Sequence, residues 1–270
     1  MPPKAQPQEK EKQKNKKAFT FSGGIQSNKK KMQRLGDLQA KRDRKTVIDK
    51  TPQNEGPPYV VVVQGPPGVG KTTLIRSLVK NYSKATLGTE IEGPVTLVSG
   101  RIRRLTFIEC PANDMRAMLD LAKVADLVLL MVDGSRKGFE METFEFISIL
   151  QVHGFPRVMG VLTHLDGFKE TKLLRRTKKT FKQRFWAELY DGAKMFYLSG
   201  LQYGNRYNKT EIMNLSRFIS LQRFPPLTWR QSHPYIFGLR CEVEEKPSTD
   251  EEATLDVSIY GYVCGSRLRE

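Results

Sequence analysis

The chain has 270 residues, 39% of them hydrophobic, enough for one full α/β domain with extensions but not for a core along its whole length. Its formal net charge of +16 and pI near 9.8 favour polyanionic partners, meaning nucleic acid or an anionic membrane surface. Three cysteines without CxxC spacing argue against a disulfide framework and a zinc site, and the longest apolar run, 127–132, is too short to span a bilayer. A soluble protein of a reducing compartment is expected.

Residues 1–55 form the first segment. Its first fifty residues carry fifteen Lys and Arg against five Asp and Glu, with few large apolar residues and no sustained periodicity. That composition predicts a disordered basic tail when alone. Binding to nucleic acid is the expected role; a solubilising tail or a nuclear address are the alternatives. No apolar run makes it a secretory signal.

Residues 56–226 alternate between two periods. Tyr59–Val63 is a continuous β-branched run and predicts a strand buried on both faces. A glycine- and proline-rich loop follows from Gly65, then a helix over 72–80. Short strands are expected at 96–99 and 105–109, joined by a turn at Gly100–Arg104. Then come a helix at 114–123, a buried strand at 127–132, an amphipathic helix at 140–153 and a strand at 157–162. A long basic helix at 169–189, a strand at 195–198 and a helix at 209–219 complete the series. Strands alternating with helices predict an α/β fold with a mixed, mostly parallel sheet covered on both faces. Residues 227–270 add two expected strands, 235–243 and 254–263, across an acidic linker at 244–252. Two strands alone are marginal, so this segment reads as the beginning of a β domain.

The Gly65-x-x-x-x-Gly70-Lys71-Thr72 stretch matches the Walker A pattern in full. Gly65, Pro66, Pro67, Gly68, Val69 and Gly70 form the cradle, in which glycines let backbone N–H groups converge on phosphates. Lys71 places a compact charge on the β- and γ-phosphates. Thr72 offers a hydroxyl to Mg²⁺, and Thr73 continues the first turn of a helix whose N-terminus faces the anion. A strand before and a helix after make the match specific. The fold class is thus a P-loop NTPase.

The remaining stations point to a guanine nucleotide, GTP or GDP. Thr163, His164 and Asp166 stand where GTPases carry Asn-Lys-x-Asp. The Asp166 carboxylate can accept from the guanine N1–H and 2-amino group; adenine presents the opposite polarity. An ordinary helix cap is the alternative for Asp166. Ser199 and Gly200 fit the backbone turn closing over the base. Glu109-Cys-Pro-Ala112 replaces the usual Asp-x-x-Gly, with Glu109 as the Mg²⁺-side acid. Ala112 keeps the N–H but restricts φ. Asn113 occupies the position that orients attacking water, and its short arm predicts slow or partner-dependent hydrolysis. Asp114 is its alternative. Thr96 is the first candidate for the second Mg²⁺ hydroxyl and Thr89 the second; either can equally be a strand-edge residue. The catalytic set is Lys71, Asn113 and Glu109, and the metal set is Thr72, Thr96 and Glu109.

These motifs resemble the Bms/Tsr family of ribosome-assembly GTPases, the Bms type in particular. The resemblance rests on Gly65–Thr73, Gly93–Gly100, Leu105–Pro111, Leu130–Ser135, Gly160–Asp166 and His233–Tyr235. It implies a translation-factor-like GTPase domain followed by a β-barrel. It also implies a nuclear, nucleolar protein acting on pre-ribosomal RNA and small-subunit pre-ribosomal particle proteins, with a cyclase-like assembly factor as a partner. A monomer within a large ribonucleoprotein, without membrane attachment, is the matching expectation. Competing readings are a non-hydrolysing P-loop scaffold and an ATP-dependent kinase-like enzyme; against the second, no arginine-rich lid is visible.

Two basic surfaces stand out. Lys169–Arg184 holds eight cations against Glu170 alone, with Leu173, Leu174, Phe181 and Phe185 available to pack. Arg101, Arg103 and Arg104 form a second, smaller patch. Neither has interleaved aromatics, so contact with RNA backbone is expected, against a merely solvated face.

Overall fold

The computed structural model describes residues 56–268, apart from 90, 92, 101, 102, 137, 203, 204, 226 and 245–255. The basic tail, Arg101 and the acidic linker therefore lie outside the described residues. The strands are β1 (Tyr59–Gln64), β2 (Val95–Ser99), β3 (Arg103–Glu109), β4 (Leu127–Asp133), β5 (Arg157–Thr163), β6 (Met195–Tyr197), β7 (Leu201–Gln202), β8 (Arg206–Tyr207), β9 (Tyr235–Glu244) and β10 (Asp256–Cys264). The helices are α1 (Lys71–Ser83), α2 (Met115–Val124), α3 (Met141–Val152), α4 (Thr171–Glu188), α5 (Lys209–Leu221) and α6 (Thr228–Ser232).

Six strands form one sheet in the order β2-β3-β1-β4-β5-β6. All neighbours are parallel except β2, which runs antiparallel to β3 at the edge. Alternation along β1 explains the layers. Val61 and Val63 face α1 and α5, packing with Leu74, Leu78, Ile212 and Leu215. Val60 and Val62 face the other side, with Met118, Phe146 and Phe185 from α2, α3 and α4. Both faces of β1 and β4 are buried, which is why these strands read as unbroken apolar runs. The mixed, mostly parallel sheet is as expected.

Two elements escape the periodicity. The β7–β8 hairpin is two residues a side, and α6 has five residues. Helix α6 bolts the last hairpin onto the α/β body. Arg230, 6% exposed, places Nη1 2.8 Å from Asp126 Oδ1 and Nη2 2.8 Å from the Ala125 carbonyl. Asp126 in turn accepts from the Val60 N–H at 2.8 Å. Trp229 donates its indole N–H to the His153 carbonyl and stacks near Tyr235 of β9.

Strands β9 and β10 pair antiparallel with a bulge at Tyr260/Gly261. Ile236, Val243, Val257, Ile259 and Val263 on this ribbon are all more than half exposed.

The surfaces differ from expectation in detail. Arg103 is not part of an open patch. Its guanidinium donates to the Ser220 and Gln222 carbonyls at the end of α5, where unpaired carbonyls attract a cation. It also lies over the rings of Tyr59 and Phe224. Arg104 donates to the Gly56 carbonyl and sits over Tyr262. On α4, Phe181 and Phe185 are buried as expected, but Leu173 is 48% exposed. Lys178, Lys182 and Arg184 rest on Tyr197, Trp186 and the Phe139–Phe144 pair. Aromatics do accompany this patch, but they are half-buried beneath their cations. Lys169, Lys172, Arg175, Arg176 and Lys179 stay exposed. No described helix is long and apolar enough to cross a membrane.

Candidate nucleotide site

Every site residue singled out above except Thr96 and Thr89 lies at or just beyond the carboxyl ends of parallel strands, or in the first turn of α1. In open α/β sheets that edge is where ligands bind. Five loops meet there, following β1, β3, β4, β5 and β6.

The first loop is a phosphate cradle by its own geometry. Gly70 adopts φ 93°, a left-handed turn that a side chain would resist. Helix α1 begins directly after it with no side-chain cap and no acid in its first turn. Helices α2 and α5 are capped by Asp114 and Asn208, while α3 and α4 share the uncapped start of α1 but each follow a glutamate, not a glycine. The first N–H groups of α1 are thus left for an anion. Lys71 is 7% exposed and its Nζ donates to the Gly65 carbonyl at 2.7 Å. It forms no salt bridge among the described residues. A buried ammonium without a salt bridge calls for an anionic ligand. The residues present therefore fit a triphosphate.

Thr72 donates its hydroxyl to Glu109 Oε1 at 3.0 Å. A hydroxyl and a carboxylate meeting beside a phosphate cradle are the hard oxygen donors that suit Mg²⁺. The replacement of Asp by the longer Glu109 still reaches Thr72.

Thr96 is not brought to this pair. Register fixes it opposite Thr106, and the two hydroxyls bond at 2.9 Å. Thr106 is three residues before Glu109, about 10 Å back along the strand. Thr89 is exposed in the loop before β2.

After Glu109 the left-handed turn falls on Asn113, at φ 59°, and not on Ala112. Asn tolerates that region well, so an alanine at 112 carries no penalty. The Asn113 N–H donates to the Glu142 carboxylate of α3, and its side chain is exposed. Between them, Cys110 is 1% exposed, and burial pushes its thiol up to about 11.

At the far end, Asp166 and Gly200 come together. A Cβ on Gly200 would lie 2.7 Å from Asp166 Cγ and 2.8 Å from Oδ2. Ser199 is tied to Glu211 of α5 through both its N–H and its hydroxyl. Thr163 is fully buried and donates to the Val132 carbonyl at 3.2 Å. It therefore supports the loop from below and does not face the cleft. His164, at φ 54°, is exposed and lies 3.3 Å from Asp133 Oδ1. Glu142, Glu211 and Tyr207 are the members that sequence reasoning missed, and no local pattern signals them. Asp133 was visible in the Leu130–Ser135 motif, at the end of an apolar strand.

The description "Tsr1, G-like domain" matches residues 59–202, and "AARP2CN (NUC121) domain" matches residues 223–270. The chain belongs to the Bms/Tsr family. Within that family it is 54% identical to the ribosome biogenesis protein BMS1 of Saccharomyces cerevisiae, over 88% of this chain and 20% of that protein. Its identity to the human BMS1 homolog is 53%, over 94% of this chain and 20% of that protein. A TSR1 homolog of Xenopus laevis, named for pre-rRNA processing, is 28% identical over 79% of this chain and 25% of that protein. The chain thus spans about a fifth of the length of the BMS1 relatives it matches. The elongation factor SelB of Methanococcus maripaludis, solved with the GTP analogue GppNHp, superposes with a TM-score of 0.54. It shares 18% identity, over 78% of this chain and 42% of that one, and shares the fold alone. This Bms/Tsr chain therefore has a translation-factor-like G-domain fold.

Proposed function

We propose that this chain is a guanine-nucleotide-binding switch with slow GTP hydrolysis, acting in small-subunit ribosome assembly and pre-rRNA processing. The observation that carries it is Thr72 bonded to Glu109 beside the buried Lys71, which forms no salt bridge among the described residues. The names of the BMS1 and TSR1 relatives support the assembly role. A nucleolar site, pre-ribosomal RNA and particle proteins as partners, and a cyclase-like factor follow from the family resemblance. The exposed cations of α4 support contact with RNA phosphates.

In this reading Gly65–Gly70 and the N-terminus of α1 hold the phosphates, and Lys71 neutralises the β- and γ-oxygens. Thr72 and Glu109 would hold Mg²⁺, which would supply charge neutralisation on the transferred phosphoryl group. Asp166 reads the base, and Gly200 leaves room for its carboxylate. Asn113 faces the attacking water on a short arm, and its N–H is already engaged by Glu142. Both features favour a slow hydrolase.

The base reading is tested by Asp166→Asn. The amide offers a donor where guanine also has one, so GTP affinity falls by about 1–3 kcal/mol while xanthosine triphosphate gains. Equal ATP and GTP binding by both proteins would sink the guanine reading. Single-turnover assays with and without pre-ribosomal RNA address hydrolysis, and no turnover in either leaves the scaffold reading.

A second expectation follows from the 2.7 Å approach at Gly200. Gly200→Ala pushes the Asp166 carboxylate out of place and weakens GTP binding about tenfold or more. Unfolding free energy also falls, by about 1–3 kcal/mol, because the positive φ of Gly200 strains a side chain. Titration with a fluorescent guanine nucleotide, beside urea denaturation, checks both.

A further inference from the structure

Tyr207 lies near both halves of the cleft, against Gly70 and within the field of Asp166. It lies on β8, in the hairpin inserted between the Ser199–Gly200 turn and α5. It is 8% exposed, and its ring packs in the core on the side of α1 and α5. Its hydroxyl lies so close to Gly70 that a Cβ there would collide with it. The same phenol feels the Asp166 carboxylate: burial, then that charge, pushes it up to about 12. It stays protonated and able to donate at any working pH. Among the described residues its hydroxyl makes no hydrogen bond, and it is not among the buried polar atoms left unpaired. The ring is buried while the O–H stays accessible at the cleft, free to donate to a ligand.

Resting on the guanine-nucleotide reading, the geometry fixes which part of the ligand is near. Gly70 and Lys71 belong to the β- and γ-phosphates, and Asp166 to the base. What lies between is the ribose and the α-phosphate, whose exposed oxygens accept hydrogen bonds. We propose that Tyr207 is a nucleotide-contacting residue whose hydroxyl donates to an oxygen of the ribose–α-phosphate segment. Its ring is locked by packing, so the donor is held in place before the ligand arrives. The contact lies in the part common to GTP and GDP, so it sets affinity without sensing the γ-phosphate.

The test is Tyr207→Phe, which removes one oxygen and keeps the ring. GTP and GDP affinities are expected to fall together, by about tenfold. The melting temperature without nucleotide is expected to stay the same, since the oxygen has no described protein partner. Repeating the titration with 2′-deoxy- and 3′-deoxy-GTP locates the acceptor. A gap between the two proteins that closes with either analogue assigns a ribose hydroxyl; a gap that persists with both assigns the α-phosphate or the ring oxygen. Unchanged affinity overturns the proposal. So does tighter binding, which makes the phenol a plug in the ligand's space, and so does a drop in melting temperature that matches the lost affinity. If the parent protein binds ATP as well as GTP, the base reading fails while a tenfold loss for ATP still upholds Tyr207. If the parent binds no nucleotide, both fall.

Discussion

Lys71→Met abolishes useful nucleotide binding while leaving the free protein as stable as before, or slightly more so. The two effects have one cause. The ammonium is buried, 2.7 Å from the Gly65 carbonyl, with no salt bridge among the described residues. Without ligand it is a desolvated charge that one carbonyl only partly compensates. Methionine keeps the stem and removes that cost, so the loss of one hydrogen bond to Gly65 is offset to within about 1 kcal/mol. With ligand, the same charge makes charge-assisted bonds to phosphate oxygens, each worth about 1.5–3 kcal/mol. Losing two such bonds raises the Kd by at least about a hundredfold. Calorimetric titration with GTP and a thermal melt without it read the two effects separately. A variant that melts several degrees lower would show that Lys71 mainly supports the fold.

Arg230→Ala is expected to destabilise the chain by about 3 kcal/mol. Removing one partner of a buried ion pair costs roughly 3–5 kcal/mol, because the other charge is left uncompensated. The lower end applies here. Asp126 keeps 22% exposure of its side chain and the Val60 N–H, both of which soften its isolation. The Ala125 carbonyl also loses a donor. Replacing Asp126 by Leu together with Arg230 by Met costs less than the two single changes added, since no charge is then stranded. Urea denaturation with an unchanged m-value checks both points. A loss under 1 kcal/mol would mean that α6 is not held by this pair.

How much of this was legible depended on the range of the cause. Runs such as Tyr59–Val63 and Leu127–Val132 declare buried strands, because burial on both faces leaves no room for polar residues. The phosphate loop declares itself because its chemistry is local: glycine, lysine and threonine act within a few residues. Thr96 was misjudged because a strand residue's neighbours are chosen by pairing, and pairing put Thr106 opposite it. The arginine patch needs correcting at Arg103 and Arg104 for a related reason. Arginines close in sequence find separate partners once folded: Arg103 found the carbonyl end of α5, and Arg104 the Gly56 carbonyl. Tyr207 and Arg230 act across 137 and 104 residues, onto Gly70 and Asp126. No local pattern announces such contacts. The short hairpin and α6 have too few residues to show a period at all.

The bond between the Asn113 N–H and Glu142 has a mechanical consequence. It ties the loop that follows Glu109 to the first turn of α3. A shift of that loop therefore pulls on α3, and a shift of α3 pulls on the loop. The two behave as one lever, anchored at a single carboxylate.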